Sequence, residues 1–199
     1  MNMRLPSGTC STNEFSNLMT TYISILRGIN VGGQKKIRME DLKTLYEGLR
    51  FSEVTTYIQS GNVIFRTNLN LPISGLSEII EKAIEGRYHF LVPVIIRTSD
   101  EMRQVLSSNP FVKEKGIDME KLHVTFLQEE PDPVDVDKTQ EINFPIDRFR
   151  ILGKDVYLYC PGGYGNTKLS NAFFENKLKV KATTRNWKTV GKLADLSDK

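Results

Sequence analysis

The order in which apolar residues change their spacing constrains this chain more than any single motif. From Tyr22 to Ile29 the sequence reads as a largely buried strand, after which Gly28, Gly32 and Gly33 release the chain into a loop. Met39, Leu42, Leu45 and Tyr46 then recur at helical spacing. Glu40 and Asp41 fall in the first turn, where negative charge suits the helix dipole, and Gly48 reads as the residue just past the helix end. Val54, Thr56 and Ile58 alternate as a strand, Ser60-Gly61-Asn62 turns the chain, and Val63 to Arg66 returns as the hairpin partner. Leu76, Ile79, Ile80, Ala83 and Ile84 form a second helical stripe closing at Gly86, followed by a strand from Val92 to Arg97. The order β-α-β-β-α-β predicts a ferredoxin-like unit.

The second half repeats that order. Thr98-x-x-Glu101 is a capping box that opens a linking helix, which Asn109-Pro110 ends. A strand follows from His123 to Leu127, then "QEEPDPVDVDKTQEI", an acidic loop with a short helix, in which Asp132 to Asp137 read as solvated. Phe149 and Ile151 form a hairpin with Val156, Leu158 and Cys160 across the turn at Gly153-Lys154-Asp155. A helix with Leu169, Ala172 and Phe173 inward comes next, then a strand from Val180 to Thr184. Asn186 caps a last helix carrying Trp187, Val190, Leu193 and Ala194. The expected architecture is α+β: a tail at 1–18, a ferredoxin-like subdomain at 19–97, a linking helix and loop at 98–120, and a second ferredoxin-like subdomain with a C-terminal helix at 121–199. Residues 1–18 are polar and without period, which suggests a loose tail or an initiation at Met19.

With 39% hydrophobic and 26% charged residues in 199, the chain has ordinary globular usage. A net charge of +3 permits an acidic partner without requiring one. Cys10 and Cys160 are too few for a disulfide framework and lie in no metal-binding spacing, so a reducing, cytoplasmic setting without a metal or cofactor is expected. No apolar run approaches the ~20 residues of a membrane helix.

Three blocks, "YISILRGINVGG", "YIQSGNVIF" and "TTRNWKTVGKL", stand in that order. Together they resemble the bacterial domain-of-unknown-function family 1697, across residues 20 to 196. The resemblance implies two ferredoxin-like subdomains and implies no particular activity.

The chemistry of those blocks stays open between a connector and a site. Gly28-x-x-x-x-Gly33 has the glycine spacing of a phosphate loop, but Gln34, Lys35 and Lys36 follow in place of Lys and a hydroxyl residue. The alternatives are plain turn glycines or an anion nest of backbone amides with Arg27 or Lys35 facing it. Ser60 and Asn62 are hairpin residues or hydrogen-bond donors to a ligand, and Asn186 is a helix cap beside Arg185, an arginine that packing does not explain and that either holds a carboxylate or phosphate or pairs with a structural Asp or Glu. His89 and His123 sit in no triad pattern, so no acid–base pair is legible. The expected site for a small anionic or phosphorylated ligand is therefore Arg27, Gly28, Asn30, Gly32, Gly33, Lys35, Ser60, Asn62, Arg185 and Asn186, with Arg27 and Arg185 supplying charge to one pocket. The competing expectations are a nucleic-acid-associated module that stacks bases on exposed Tyr22 and Phe65, and an enzyme of unstated reaction.

Overall fold

The computed structural model describes residues 19–199; the expectation for residues 1–18 lies outside the described residues. The first half runs β1 (Thr20–Leu26), α1 (Met39–Gly48), β2 (Ser52–Tyr57), β3 (Asn62–Thr67), α2 (Ile73–Tyr88), β4 (Val94–Thr98) and α3 (Ser99–Ser107). The second runs β5 (Leu122–Leu127), α4 (Pro133–Gln140), β6 (Arg148–Leu152), β7 (Asp155–Tyr159), α5 (Asn171–Leu178), β8 (Ala182–Asn186) and α6 (Trp187–Ser197). Each half makes a four-stranded sheet with every neighbouring pair antiparallel, in the orders β2-β3-β1-β4 and β6-β7-β5-β8. Both are the ferredoxin-like order, each extended by one helix after its last strand.

Three apolar layers result. Alternation along β1 sends Leu26 toward α1 and α2, where it meets Leu42, Tyr46, Leu76 and Ile80. It sends Ile23 and Ile25 to the opposite face. That face meets Val124, Phe126 and Tyr157 of the second sheet, together with Met102 and Val105 of α3 and Val190 and Leu193 of α6. The outer layer of the second half holds Phe149, Val156, Leu158, Phe174 and Leu178. The two sheets thus share a middle core, and neither inner face is open to solvent.

Capping chemistry follows the sequence closely. Thr98 Oγ1 accepts from Glu101 N at 3.1 Å while the Glu101 carboxylate accepts from Thr98 N at 2.9 Å, a complete capping box. Asn186 Oδ1 accepts from Thr189 N at 2.8 Å.

Several local expectations are corrected. β1 ends at Leu26, because Gly28 and Asn30 take positive φ and turn the chain away three residues early. Gly48 is the last residue of α1; the left-handed residue beyond that end is Arg50. Gly86 lies inside α2, which continues to Tyr88 and is capped by left-handed His89. β4 and β8 start two residues later than expected, and Ala172 is exposed while Phe174 and Leu178 form the inward face of α5. In the β2–β3 turn, Gly61 has φ +75° but Asn62 is already in the strand and fully buried; the other positive φ falls on Ile58.

Candidate functional site

Two buried arginines fasten the sheets together, each reaching from its own half into the other. Arg97 on β4 donates through Nη2 to Leu127 O at 2.9 Å, to Lys154 O at 2.9 Å and to Asp155 Oδ1 at 3.1 Å. Arg185 on β8 donates through Nη2 to Leu26 O at 2.7 Å and Ser60 O at 2.8 Å, and through Nε to Asn62 Oδ1 at 2.6 Å. The registers match. Arg97 lies opposite Ile23 on β1 as Arg185 lies opposite Val124 on β5, and Leu26 N donates to Gly61 O as Leu127 N donates to Lys154 O. Asn62 therefore holds the place in the first half that Asp155 holds in the second.

The remaining Arg185 donors are also engaged, Nη1 giving hydrogen bonds to Thr183 Oγ1 at 3.1 Å and Thr184 O at 2.9 Å. Every partner of this cation is neutral, and among the described residues none is a carboxylate. Burial pushes its guanidinium down to about 10, which leaves it protonated at neutral pH. Asp155, by contrast, sits against Arg97, yet burial outweighs that attraction and holds its carboxyl above the ordinary value.

Each arginine backs a cavity. The cavity at Arg97, about 340 Å³, mixes signs: Glu101, Glu130 and Asp155 with Lys154 and Arg97. The one at Arg185, about 510 Å³, is lined by Arg27, Gly28, Ile29, Val31, Gln34, Lys35, Ser60, Asn171, Thr183, Thr184 and Arg185, with three cations and no Asp or Glu. A hydroxyl network stands behind this wall. Thr184 donates to Asn171 Oδ1 at 2.7 Å and accepts from Tyr164 OH at 2.9 Å, with Thr125 Oγ1 2.7 Å away.

Five of the residues singled out from sequence thus meet at one cavity: Arg27, Gly28, Lys35, Ser60 and Arg185. Their charges are not equally free. Arg27 pairs with Glu175, whose carboxylate also accepts from Ala182 N at 3.0 Å. The Lys35 ammonium donates to Leu91 O at 2.7 Å and has two further N–H groups. The other five lie elsewhere. Gly32 and Gly33, at φ +57° and +76°, are the two central residues of a tight turn closed by Gln34 N donating to Val31 O at 3.0 Å. Asn30 staples this loop, donating to Ile37 O and Gln59 O and accepting from Ile37 N, all at 2.9 Å. Asn62 is buried beneath the cavity, and Asn186 is a helix cap. The expected nest of amides across Gly28 to Gly33 is corrected accordingly: only Gly28 reaches the wall, and the later glycines make a turn.

The base-stacking platform is corrected too. Phe65 is fully buried under the helices, and Tyr22 stacks on it with ring centroids 5.7 Å apart. Sequence reasoning also missed Arg97, Asn171, Thr183 and Thr184. A signal for Arg97 was present, since an arginine directly precedes a helix cap at the end of a strand in both halves, as Arg97-Thr98 and Arg185-Asn186.

Cys160 is buried, and burial pushes its thiol up to about 11, away from thiolate reactivity. His123 stacks on Tyr164 at 4.9 Å, and burial lowers its pKa. Among the described residues no group of three or more His, Cys, Asp or Glu is placed to hold a metal ion, and no helix is long and apolar enough to cross a membrane.

Comparison with curated proteins gave no match. Among solved structures, the chain is similar to the conserved bacterial protein SP0830 from Streptococcus pneumoniae, with a TM-score of 0.71 over 92% of this chain and 100% of that one. Identity is 24%, so this likeness concerns the fold alone. Residues 19–157 match the family described as "Protein of unknown function (DUF1697)", a span that takes in the first two sequence blocks and stops short of the third. With most of its length matched, the chain belongs to the DUF1697 family.

Proposed function

We propose that this protein binds a small anionic or phosphorylated ligand, in a cytoplasmic setting, in the cavity between the β1–α1 loop and β8. The observation that carries this reading is the Arg185 charge, buried at 9% exposure and held only by neutral acceptors, behind a cavity whose described lining contains no carboxylate. A cation removed from water acts through a lower effective dielectric than a surface charge and attracts an anion more strongly. Because all of its N–H groups are already engaged, Arg185 contributes field rather than direct contact. Direct hydrogen bonds fall to the free donors of Lys35, the Ser60 hydroxyl and the Asn171 amide. Gly28, with φ +70° and open space where a Cβ would stand, leaves the backbone at the wall uncovered.

Titration calorimetry with inorganic phosphate and a nucleoside monophosphate tests the reading. Lys35→Gln removes a charge-assisted hydrogen bond worth about 1.5–3 kcal/mol, so affinity is expected to fall about tenfold or more. Absence of saturable heat with either anion at millimolar concentration overturns the proposal, as does equal affinity in the variant.

A further inference from the structure

We propose that the occupant of this cavity is a soluble phosphate monoester with an apolar substituent, the substituent lying against Val31; this rests on the anion-binding reading above. Two observations point to it. The cavity, about 510 Å³, falls within the range of roughly 300–1,000 Å³ typical of small-molecule sites and is far larger than the five heavy atoms of phosphate need. Secondly, its wall presents an exposed aliphatic side chain, Val31, on fastened backbone. Val31 is 66% exposed and lines the cavity, while the loop that carries it is tied by the Asn30 staple, by the Gly32-Gly33 turn and by the Lys35 bond to Leu91 O.

Leu91 itself is 64% exposed beside that bond. Ile58, next to the Gln59 carbonyl that Asn30 grips, is 47% exposed at φ +51°, a conformation unfavourable for a β-branched residue. Leu91 and Ile58 stand outside the lining, on loops that side-chain bonds tie to the loop carrying Val31, so the exposed aliphatic group at the wall itself is Val31. A free phosphate has no use for an exposed valine at the wall, and neither does a fully hydroxylated sugar phosphate. An alkyl or aryl phosphate matches both parts of the site: the oxyanion toward Lys35 and the Arg185 field, the hydrocarbon over Val31.

The test compares inorganic phosphate, ribose 5-phosphate and hexyl phosphate by calorimetry on the full chain and on Val31→Asn, whose side chain is exposed and leaves the core intact. Each methylene withdrawn from water raises affinity about fourfold, so three buried methylenes give roughly a 60-fold advantage of hexyl phosphate over inorganic phosphate. Val31→Asn is expected to erase most of that advantage while leaving inorganic phosphate affinity within about twofold. Hexyl phosphate binding no tighter than ribose 5-phosphate overturns the inference and leaves the anion site standing. An advantage that persists in Val31→Asn overturns it as well, as does binding to phosphatidic acid vesicles without binding of hexyl phosphate. No saturable binding of any of the three overturns the anion site itself.

Discussion

Arg97 and Arg185 sit at matching places in the two halves, each at the end of a fourth strand just before a helix cap, and each grips the ends of the two central strands of the opposite sheet. One closes on an aspartate and the other on an asparagine. At the Arg97 end the cation is paired with Asp155, and Lys154 is paired with Glu101 at 2.5 Å, so both cations there have carboxylate partners. At the Arg185 end Asn62 supplies the same acceptor geometry without the charge, and its amide turns to Tyr57 O at 3.0 Å and Ser60 Oγ at 3.1 Å. The same hydrogen-bonding device therefore leaves the clasp arginine of one half paired with a carboxylate and that of the other buried without one. Geometry and charge have been separated between the two copies: both hold the sheets together, and only one leaves a positive field over a cavity.

The largest effect that sharpens this comparison is on stability. Arg97→Met leaves Asp155 buried without its partner and is expected to lower unfolding free energy by about 3–5 kcal/mol in urea titration. Adding Asp155→Leu is expected to recover a large part of that loss, because the orphaned charge goes with it. A single-variant loss under about 1 kcal/mol would mean that Arg97 is not a clasp.

The second effect is on binding. Asn62→Asp makes the Arg185 end resemble the Arg97 end by placing a carboxylate against the guanidinium. Phosphate affinity is expected to fall about tenfold, equivalent to about 1.4 kcal/mol, with the fold retained by far-UV circular dichroism. Unchanged affinity breaks the link between the unpaired charge and the cavity.

Much of the fold was legible because periodicity and punctuation are local properties. The helical stripe Leu76-Ile80-Ile84, the Thr98-x-x-Glu101 box and the Asn186 cap each involve residues a few positions apart, and each has the structure their chemistry requires. The glycines at 32 and 33 were legible as a turn or a nest, and the choice between them depended on where Gln34 N goes, which spacing does not reveal. Arg185 stood out in the sequence as a cation without a packing reason. Its partners, Leu26, Ser60 and Asn62, lie more than a hundred residues away, so their roles depend on how the two sheets face each other. Phe65 is the reverse case: alternation places it on its strand, but the face it occupies is set by the helices covering it.

The smallest effect concerns pH. His123 on β5 stacks on Tyr164, which bonds the Thr184 hydroxyl on the Arg185 side, and burial lowers its pKa below the ordinary 6.5. Below that value the unfolded chain binds more protons than the folded one, so stability rises with pH across the window from the folded pKa up to about 6.5 and is lost on acidification through it. His123→Gln is expected to flatten this part of the stability profile. A slope identical to that of the wild type would assign the pH dependence to other groups.

The most direct test of the contrast between the two ends is a phosphate titration followed residue by residue in amide NMR spectra of the full chain. The account predicts saturable shifts at Gly28, Lys35, Ser60 and Thr184 around Arg185, and none of comparable size at Glu101, Gly153 and Lys154 around Arg97. Equal shifts at both ends, or shifts confined to the Arg97 end, would contradict it.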